Sequence, residues 1–404
     1  MKRETALQKV QAAANAFEAR AKGAAVATLG HFSADAAAAV AGRLREALHW
    51  AQSTNEEELT GESDDLEGMG EGDYVSHHPV IAIAQTAMES APHDELRAIG
   101  DHVMEFQVKP GADLFVTHQS LDDFVFPLAE KSTVVLVGDW GTGKDRAKRV
   151  MDIIRQVDPD HVIHLGDIYP SGTPEMARKH FLDVIAAHGP KRAKYWAMNG
   201  NHEMNAKGVG YFGTVLPALK QKASYFALQN AHWRLVAVDT AFRARDVDPR
   251  QLPWLNARLM KDDGARNLVL THHQMFSAVD PRPAAEHQKL IAAMQPFVDK
   301  GRVFGWFWGH EHWMLSYAAD KKFGGYLARA IGHGGKRVKN VEGKHNGKAP
   351  PVKVYWNRPH PTVPGRCLNG FAVLRFDGPE LTLSYPDETS TMDLFVEIWP
   401  KLPH

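Results

Sequence analysis

The chain has 404 residues, 44% of them hydrophobic and 24% charged, enough for a sizeable core in two or three domains or in one large α/β domain with an appendage. Its 47 Lys+Arg against 48 Asp+Glu leave a formal net charge of −1, which removes the long-range field that capture of nucleic acid or of an anionic membrane would use. A single cysteine, Cys367, allows no internal disulfide. The N-terminus lacks a signal-peptide core, and no apolar stretch approaches membrane-spanning length, so a soluble, cytoplasmic protein is expected.

In chain order, residues 1–53 are Ala-rich without strand-like alternation, which predicts a helical segment. Residues 54–78 carry an acidic run broken by glycines and predict a solvated linker. Residues 79–130, with a helical pattern at 81–90, are given no job beyond packing on or near the domain that follows, and 115–126 is a candidate cover for its cleft. From Lys131 the texture changes, and residues 131–404 read as one domain. The β-branched run 133–137 ends in Gly138-Asp139-Trp140-Gly141. A helix follows, with Ala147, Val150, Met151 and Ile154 on one face. The grammar then repeats: 161–165 into Gly166-Asp167, 195–198 into Gly200-Asn201-His202-Glu203, 233–238 into Asp239, 267–270 into Thr271-His272-His273, and 303–308 into Gly309-His310-Glu311-His312. Strands alternating with helices predict an α/β fold, and ligands gather beyond the carboxyl ends of such strands. Past Gly335 the pattern turns to hairpins, with 370–376 and 381–385 joined across Asp377-Gly378-Pro379.

Asp139, Asp167, Asn201, His272, His310 and His312 are oxygen or imidazole donors suited to first-row metals, and six are more than one ion needs. A two-metal site follows, with Asp167 as the carboxylate able to give one oxygen to each ion, in the arrangement that serves displacement at phosphorus. Gly-Asp-x-Gly (138–141), Gly-Asp (166–167), Gly-Asn-His-Glu (200–203), Val-x-x-His (269–272) and Gly-His-x-His (309–312), in this order, resemble the calcineurin-like metallophosphoesterase superfamily. Gly141, where many members carry a ligand His, is similar to the purple acid phosphatase branch.

The resemblance implies a four-layer α/β/β/α sandwich. It also implies one metal on Asp139, Asp167 and His312 and another on Asp167, Asn201, His272 and His310, the ions being Mn, Fe or Zn. His202 would be the general acid, a role that also follows from the need of an alkoxide leaving group for a proton, and Glu203 would orient its ring. The implied activity is phosphate-ester hydrolysis by metal-bound hydroxide, mono- or diester, with neither nucleic acid nor membrane as partner. The purple branch places a ligand Tyr three residues after the bridging Asp; here that position is Pro170, and Tyr169 falls one short. In an extended segment this turns the phenol the other way and argues against a tyrosinate ligand.

Two other readings compete. Gly138 to Lys144 satisfies G-x-x-x-x-G-K, but Asp145 replaces the hydroxyl residue of a P-loop NTPase. A non-catalytic metal-binding interaction module on the same scaffold would use the same ligands. His273, His333 and Tyr169 are candidates for the substrate edge. His161, His164 and Asp239 read as structural, Trp306 and Trp308 as core, Trp313 as a rim residue, and Cys367 as apolar filler.

Overall fold

A computed structural model describes residues 3–26, 29, 32–53, 113–169, 171–281, 283–356, 358–391 and 395–399. The acidic linker at 54–78 and the helical pattern at 81–90 lie outside the described residues. The chain divides into two compact units, the larger spanning Phe115–Tyr169, Pro174–Met204 and Gly210–His404.

In the smaller unit, helices Arg3–Ala21 and Ala34–Ser53 form a hairpin. Alanine at many of the facing positions lets the two backbones approach. Val10, Ala13, Ala14 and Phe17 are buried with Val40, Ala41, Leu44 and Leu48 in one cluster, and Phe17 meets Phe32 edge-on at 5.2 Å. No helix among the described residues is long and apolar enough to cross a membrane.

The larger unit holds two sheets. One is ordered β16 (Val396–Trp399), β15 (Glu380–Ser384), β14 (Ala372–Asp377), β2 (Lys131–Val137), β3 (His161–His164), β4 (Lys194–Ala197). The other is ordered β1 (Val125–Pro127), β5 (Phe226–Gln229), β6 (Trp233–Ala237), β7 (Arg266–Thr271), β8 (Gly305–Trp308), β10 (Leu327–Ile331), β9 (Met314–Tyr317), β12 (Val352–Tyr355). A two-stranded ribbon pairs β11 (Val338–Lys339) with β13 (Arg366–Cys367). β2, β3 and β4 run parallel, as do β6, β7 and β8, so their carboxyl ends can carry a common edge.

The layering follows from side-chain alternation along the strands. Val134 and Leu136 of β2 join Leu268 and Leu270 of β7, Phe307 of β8 and Leu374 of β14 in one apolar cluster, which is the filling between the sheets. The alternate residues Val135 and Val137 join Val150, Met151 and Ile154 of the helix Asp145–Val157 on the outer face of the first sheet. On the outer face of the second, Val236, Val269, Trp306 and Trp308 join Leu255 and Leu259 of the helix Leu252–Leu259 and Leu290, Met294 and Phe297 of the helix Gln288–Asp299. The result is the four-layer α/β/β/α sandwich. The expected hairpin is β14–β15, paired from Val373↔Ser384 to Asp377↔Glu380.

The second sheet begins upstream of Lys131, because β1 pairs parallel with β5. Phe115 stacks on Tyr225 at 5.6 Å in the core, so the segment 115–127 is built into this sheet's edge instead of lying over a cleft. Phe307→Ala, which opens a cavity between the sheets, should cost about 3–5 kcal/mol of stability, read as a drop in the urea midpoint with unchanged slope.

Candidate metal centre

Five strand ends deliver the candidate donors. Asp139 follows β2, Asp167 follows β3 and Asn201 follows β4; His272 follows β7, and His310 and His312 follow β8. Three of these residues sit in the left-handed region, Asp139 at φ 54°, Asp167 at φ 80° and His310 at φ 64°. That region is costly for non-glycine residues and clusters at functional sites. The glycines preceding them are explained by close approach. A Cβ on Gly166 would lie 2.6 Å from the His272 ring, and one on Gly309 would lie 2.9 Å from Asp139 Oδ2. The first two turns are tied together, since Asp139 N–H donates to Gly166 O at 3.1 Å and Gly141 N–H donates to Asp167 O at 3.2 Å.

Asp167 is wholly buried and its two carboxylate oxygens face different neighbours. Oδ1 accepts from the backbone N–H of His202 at 3.0 Å and lies 3.3 Å from His272 Nε2. Oδ2 accepts from the Tyr169 hydroxyl at 3.0 Å. Burial works against its charge, but His272, His202 and His310 together with the His202 N–H outweigh it and hold the carboxyl well below the usual range.

Around Oδ2 the Tyr169 hydroxyl also reaches Asp139 Oδ1 at 2.9 Å and His312 Nε2 at 3.0 Å. Asp139 Oδ2 is buried and has no hydrogen-bond partner among the described residues. The expectation that the phenol turns away is therefore corrected. The positive φ of Asp167 breaks the extended geometry on which alternation depends, and Tyr169 swings back into the cluster.

Around Oδ1, Asn201 Oδ1 lies 2.9 Å from His272 Nε2 and 2.9 Å from His310 Nδ1. His272 Nδ1 faces the carbonyl of Leu165 at 2.9 Å, and a carbonyl only accepts, so the proton sits on Nδ1. The lone pair of Nε2 then points at Asp167 and Asn201, the tautomer a metal ligand needs. Burial first, then His272, keeps His310 well below the ordinary imidazole range and hence neutral. Ligand atoms of Asp139, Asp167 and His272 lie within 4.8 Å of one another, as do those of His272, His273 and His310.

The other sequence candidates fall as follows. The His202 ring packs on Tyr169 at 4.3 Å between centroids, with Nε2 3.9 Å from Asp167 Oδ2. Glu203 does something other than aim that ring: its Oε2 accepts from the backbone N–H of Asp167 and of Gly200, each at 3.1 Å, fixing the turns that carry the donors. His273 is brought into the cluster, 4.9 Å from the His272 ring and 4.8 Å from that of His310, with Nδ1 on the Thr240 hydroxyl at 3.0 Å. The phosphate-loop reading of Gly138–Lys144 is disfavoured, because the N–H groups of Gly138, Asp139, Gly141 and Thr142 are spent on the carbonyls of Ile331, Gly166, Asp167 and Trp140. Asp239 is structural, accepting from the N–H groups of Ala241 and Phe242. Trp313 packs partly buried against the outer core of the second sheet.

Two residues were missed in the sequence. His287 is buried, donates from Nδ1 to Gln274 O at 2.7 Å, and its ring lies 5.6 Å from His273 and 6.3 Å from His310. It precedes a helix and ends no strand, so no motif marks it. Lys336 is also buried, its ammonium 4.9 Å from the Tyr169 ring centroid. Only its place after the Gly334-Gly335 turn hinted at it.

His333 is not a substrate-edge residue. It is fully buried beside Trp356, at 6.0 Å between rings, and Gly370 leaves it room, a Cβ there falling 2.8 Å from Nε2. Both ring nitrogens lack hydrogen-bond partners among the described residues, and burial pushes the pKa from 6.5 down to about 3. The folded protein therefore refuses a proton that the unfolded chain accepts. The stabilisation from a neutral His333 is fully present above pH 6.5 and is lost as pH falls toward 3. Compared with His333→Phe, the wild type should lose on the order of a few kcal/mol more over that range in urea unfolding series; parallel pH profiles would refute this.

Residues 132–314 match the family model for calcineurin-like phosphoesterases. No curated protein matches the chain at a significant level. Among solved structures, a purple acid phosphatase isolated from yellow lupin (Lupinus luteus) seeds is similar at 15% identity and a TM-score of 0.51, over 67% of this chain and 54% of that one. The chain thus spans about half the length of the lupin enzyme, and the likeness shows a shared fold. Also similar are GAP50, the anchor in the inner membrane complex of Plasmodium (12% identity, TM-score 0.47, 66% of this chain and 88% of that one), and a dimetal phosphatase from Danio rerio (14%, 0.42, 66% and 98%). The matched segment, somewhat under half of the chain, lies within the sandwich, and this part of the chain is similar to the calcineurin-like phosphoesterases.

Proposed function

We propose that the protein is a hydrolase of phosphate esters that works through two metal ions sharing Asp167. The supporting observation is that the two oxygens of this one carboxylate face two separate donor sets. Asp139, His312 and the Tyr169 phenol surround Oδ2, while His272, Asn201 and His310 lie on the side of Oδ1. The donor chemistry fits. Asp139 Oδ2 is a buried oxygen with no hydrogen-bond partner among the described residues, and the His272 tautomer leaves its lone pair facing inward. Mixed oxygen and imidazole donors suit Mn, Fe or Zn. Bound there, such ions supply Lewis acidity toward the phosphoryl oxygens and lower the pKa of a water.

The chain's own residues position and protonate. His202 is anchored at its backbone by Asp167 Oδ1 and at its ring by Tyr169, which sets the imidazole beside the centre. As water oxygen bonds to phosphorus and the P–O bond to the alcohol breaks, the His202 imidazolium gives its proton to the departing alkoxide, and the proton lost by the water afterwards restores the imidazolium. Glu203 acts one step back, holding the Asp167 and Gly200 turns. His273 and His287 line the second donor set, on the side where substrate oxygens need donors.

The purified protein should contain two metals per chain and hydrolyse p-nitrophenyl phosphate or bis(p-nitrophenyl) phosphate with added Mn²⁺, the preferred one separating mono- from diesterase. Full metal occupancy with neither hydrolysed would favour a non-catalytic metal-binding module. His202→Ala should lower turnover on esters with poor leaving groups by roughly 10² to 10⁴ with metal content intact; loss of both ions would assign the residue another role. Tyr169→Phe should weaken one ion by about 10- to 100-fold in metal titration and spare the other. Equal loss of both would remove the phenol from the first donor set.

A further inference from the structure

Beside the metal centre lies a cavity of about 260 Å³. It is built by the loop that follows His272 and His273, by the helix Gln288–Asp299 that follows His287, and by the turn before β10. Its apolar wall is aromatic. Phe276 faces Tyr326 in a stacked orientation at 6.2 Å and Phe323 edge-on at 5.6 Å, and Ile291 completes the surface. The charged residues of the lining are Asp280, Lys322 and Lys348. Neither lysine forms an ion pair among the described residues, and Lys322 lies 5.5 Å from the Phe323 ring centroid.

These features select a ligand. Typical pockets for drug-sized molecules span roughly 300–1,000 Å³, so this one is sized for a compact ring system and is too small for a whole dinucleotide. Stacked and edge-on rings favour a planar aromatic group over an aliphatic one. Two unpaired ammonium groups against one carboxylate favour a negative substituent on that ring. We propose that this cavity binds a planar aromatic group bearing an acidic substituent, ring against Phe276 and Tyr326 and anion at Lys322 and Lys348.

The cavity also abuts the centre. Ser277 of its lining belongs to the loop that follows His272 and His273, and Glu311, which sits between His310 and His312, accepts from Trp308 Nε1 at 2.8 Å. Phe276 packs edge-on against the same Trp308 at 5.6 Å. The ring is therefore either the organic part of the ester, which rests on the phosphoesterase reading, or a separate effector. The experiment distinguishes the two.

Calorimetric titration of the metal-loaded protein with naphthalene-2-sulfonate should give saturable one-to-one binding. Naphthalene-2-methanol and methanesulfonate should bind at least tenfold more weakly. The double variant Lys322→Ala/Lys348→Ala should lose tenfold or more, and Gln295→Trp, which fills the cavity from its rim, should abolish binding. Neither change touches a buried core residue. No binding by the wild type, or binding indifferent to both variants, overturns the proposal. If the site holds the organic half of the substrate, Gln295→Trp raises KM for 1-naphthyl phosphate and leaves methyl phosphate unaffected; if it holds an effector, the sulfonate changes the rate on methyl phosphate. Saturable binding without any hydrolysis would sustain the cavity while refuting the phosphoesterase reading.

Discussion

A single buried carboxylate organises this site. Asp167 is removed from water, and a lone ionised carboxyl there would be so costly that it would take up a proton. It stays ionised because its hydrogen-bonding neighbours favour the charge: the His202 N–H on one oxygen and the Tyr169 hydroxyl on the other. The carboxylate thus has two chemically different faces. The distinction between two donor sets is established by the way β3 ends, before any cation is considered.

The surrounding histidines obey the opposite rule. Burial disfavours their charged form, so His273 and His310 are held neutral, and His164, between Trp140 and Phe181, is driven down to about 3. Neutral imidazole is the ligand form, and the hydrogen bond made by one nitrogen decides which lone pair is offered. For His272 the deciding group is the carbonyl of Leu165, at the end of β3, two residues before Asp167. The strand end that presents Asp167 therefore also sets the tautomer of a base arriving from the other sheet.

That coupling explains what could be read from the sequence. Each candidate donor belonging to a Gly-x motif at a strand end was legible, because the close approach that forbids a Cβ at Gly166 or Gly309 leaves a glycine in the sequence beside it. The alternation of Val134 and Leu136 with Val135 and Val137 likewise announced a sheet covered on both faces. What depended on chain direction after a strained residue was illegible. Tyr169 was placed by counting along an extended segment, and the φ of 80° at Asp167 invalidates the count. His287 reaches the cluster through a loop and a helix start, and β1 is only three residues long, so neither leaves a periodic trace. The aim of the Glu203 carboxylate depended on where backbone N–H groups point, which spacing does not encode.

Left-handed backbone at Asp139, Asp167 and His310 costs on the order of 1–3 kcal/mol per residue, and such strain persists only where the surroundings over-determine it. Here they do. The Gly141↔Ile168 bridge extends the sheet pairing past β2 and β3, Gly138 N–H donates to Ile331 O, and Gly334 N–H donates back to Gly138 O, lacing the motif turns of one sheet to the end of β10 in the other. The donors therefore converge because the two sheets are welded at this edge, with the strain offset by apolar burial between them. This is the reverse of a small zinc domain, where the ion itself supplies the folding energy. A site preorganised in this way spends little of the metal's binding energy on ordering the chain, so losing one donor should weaken ion binding while leaving the sandwich standing.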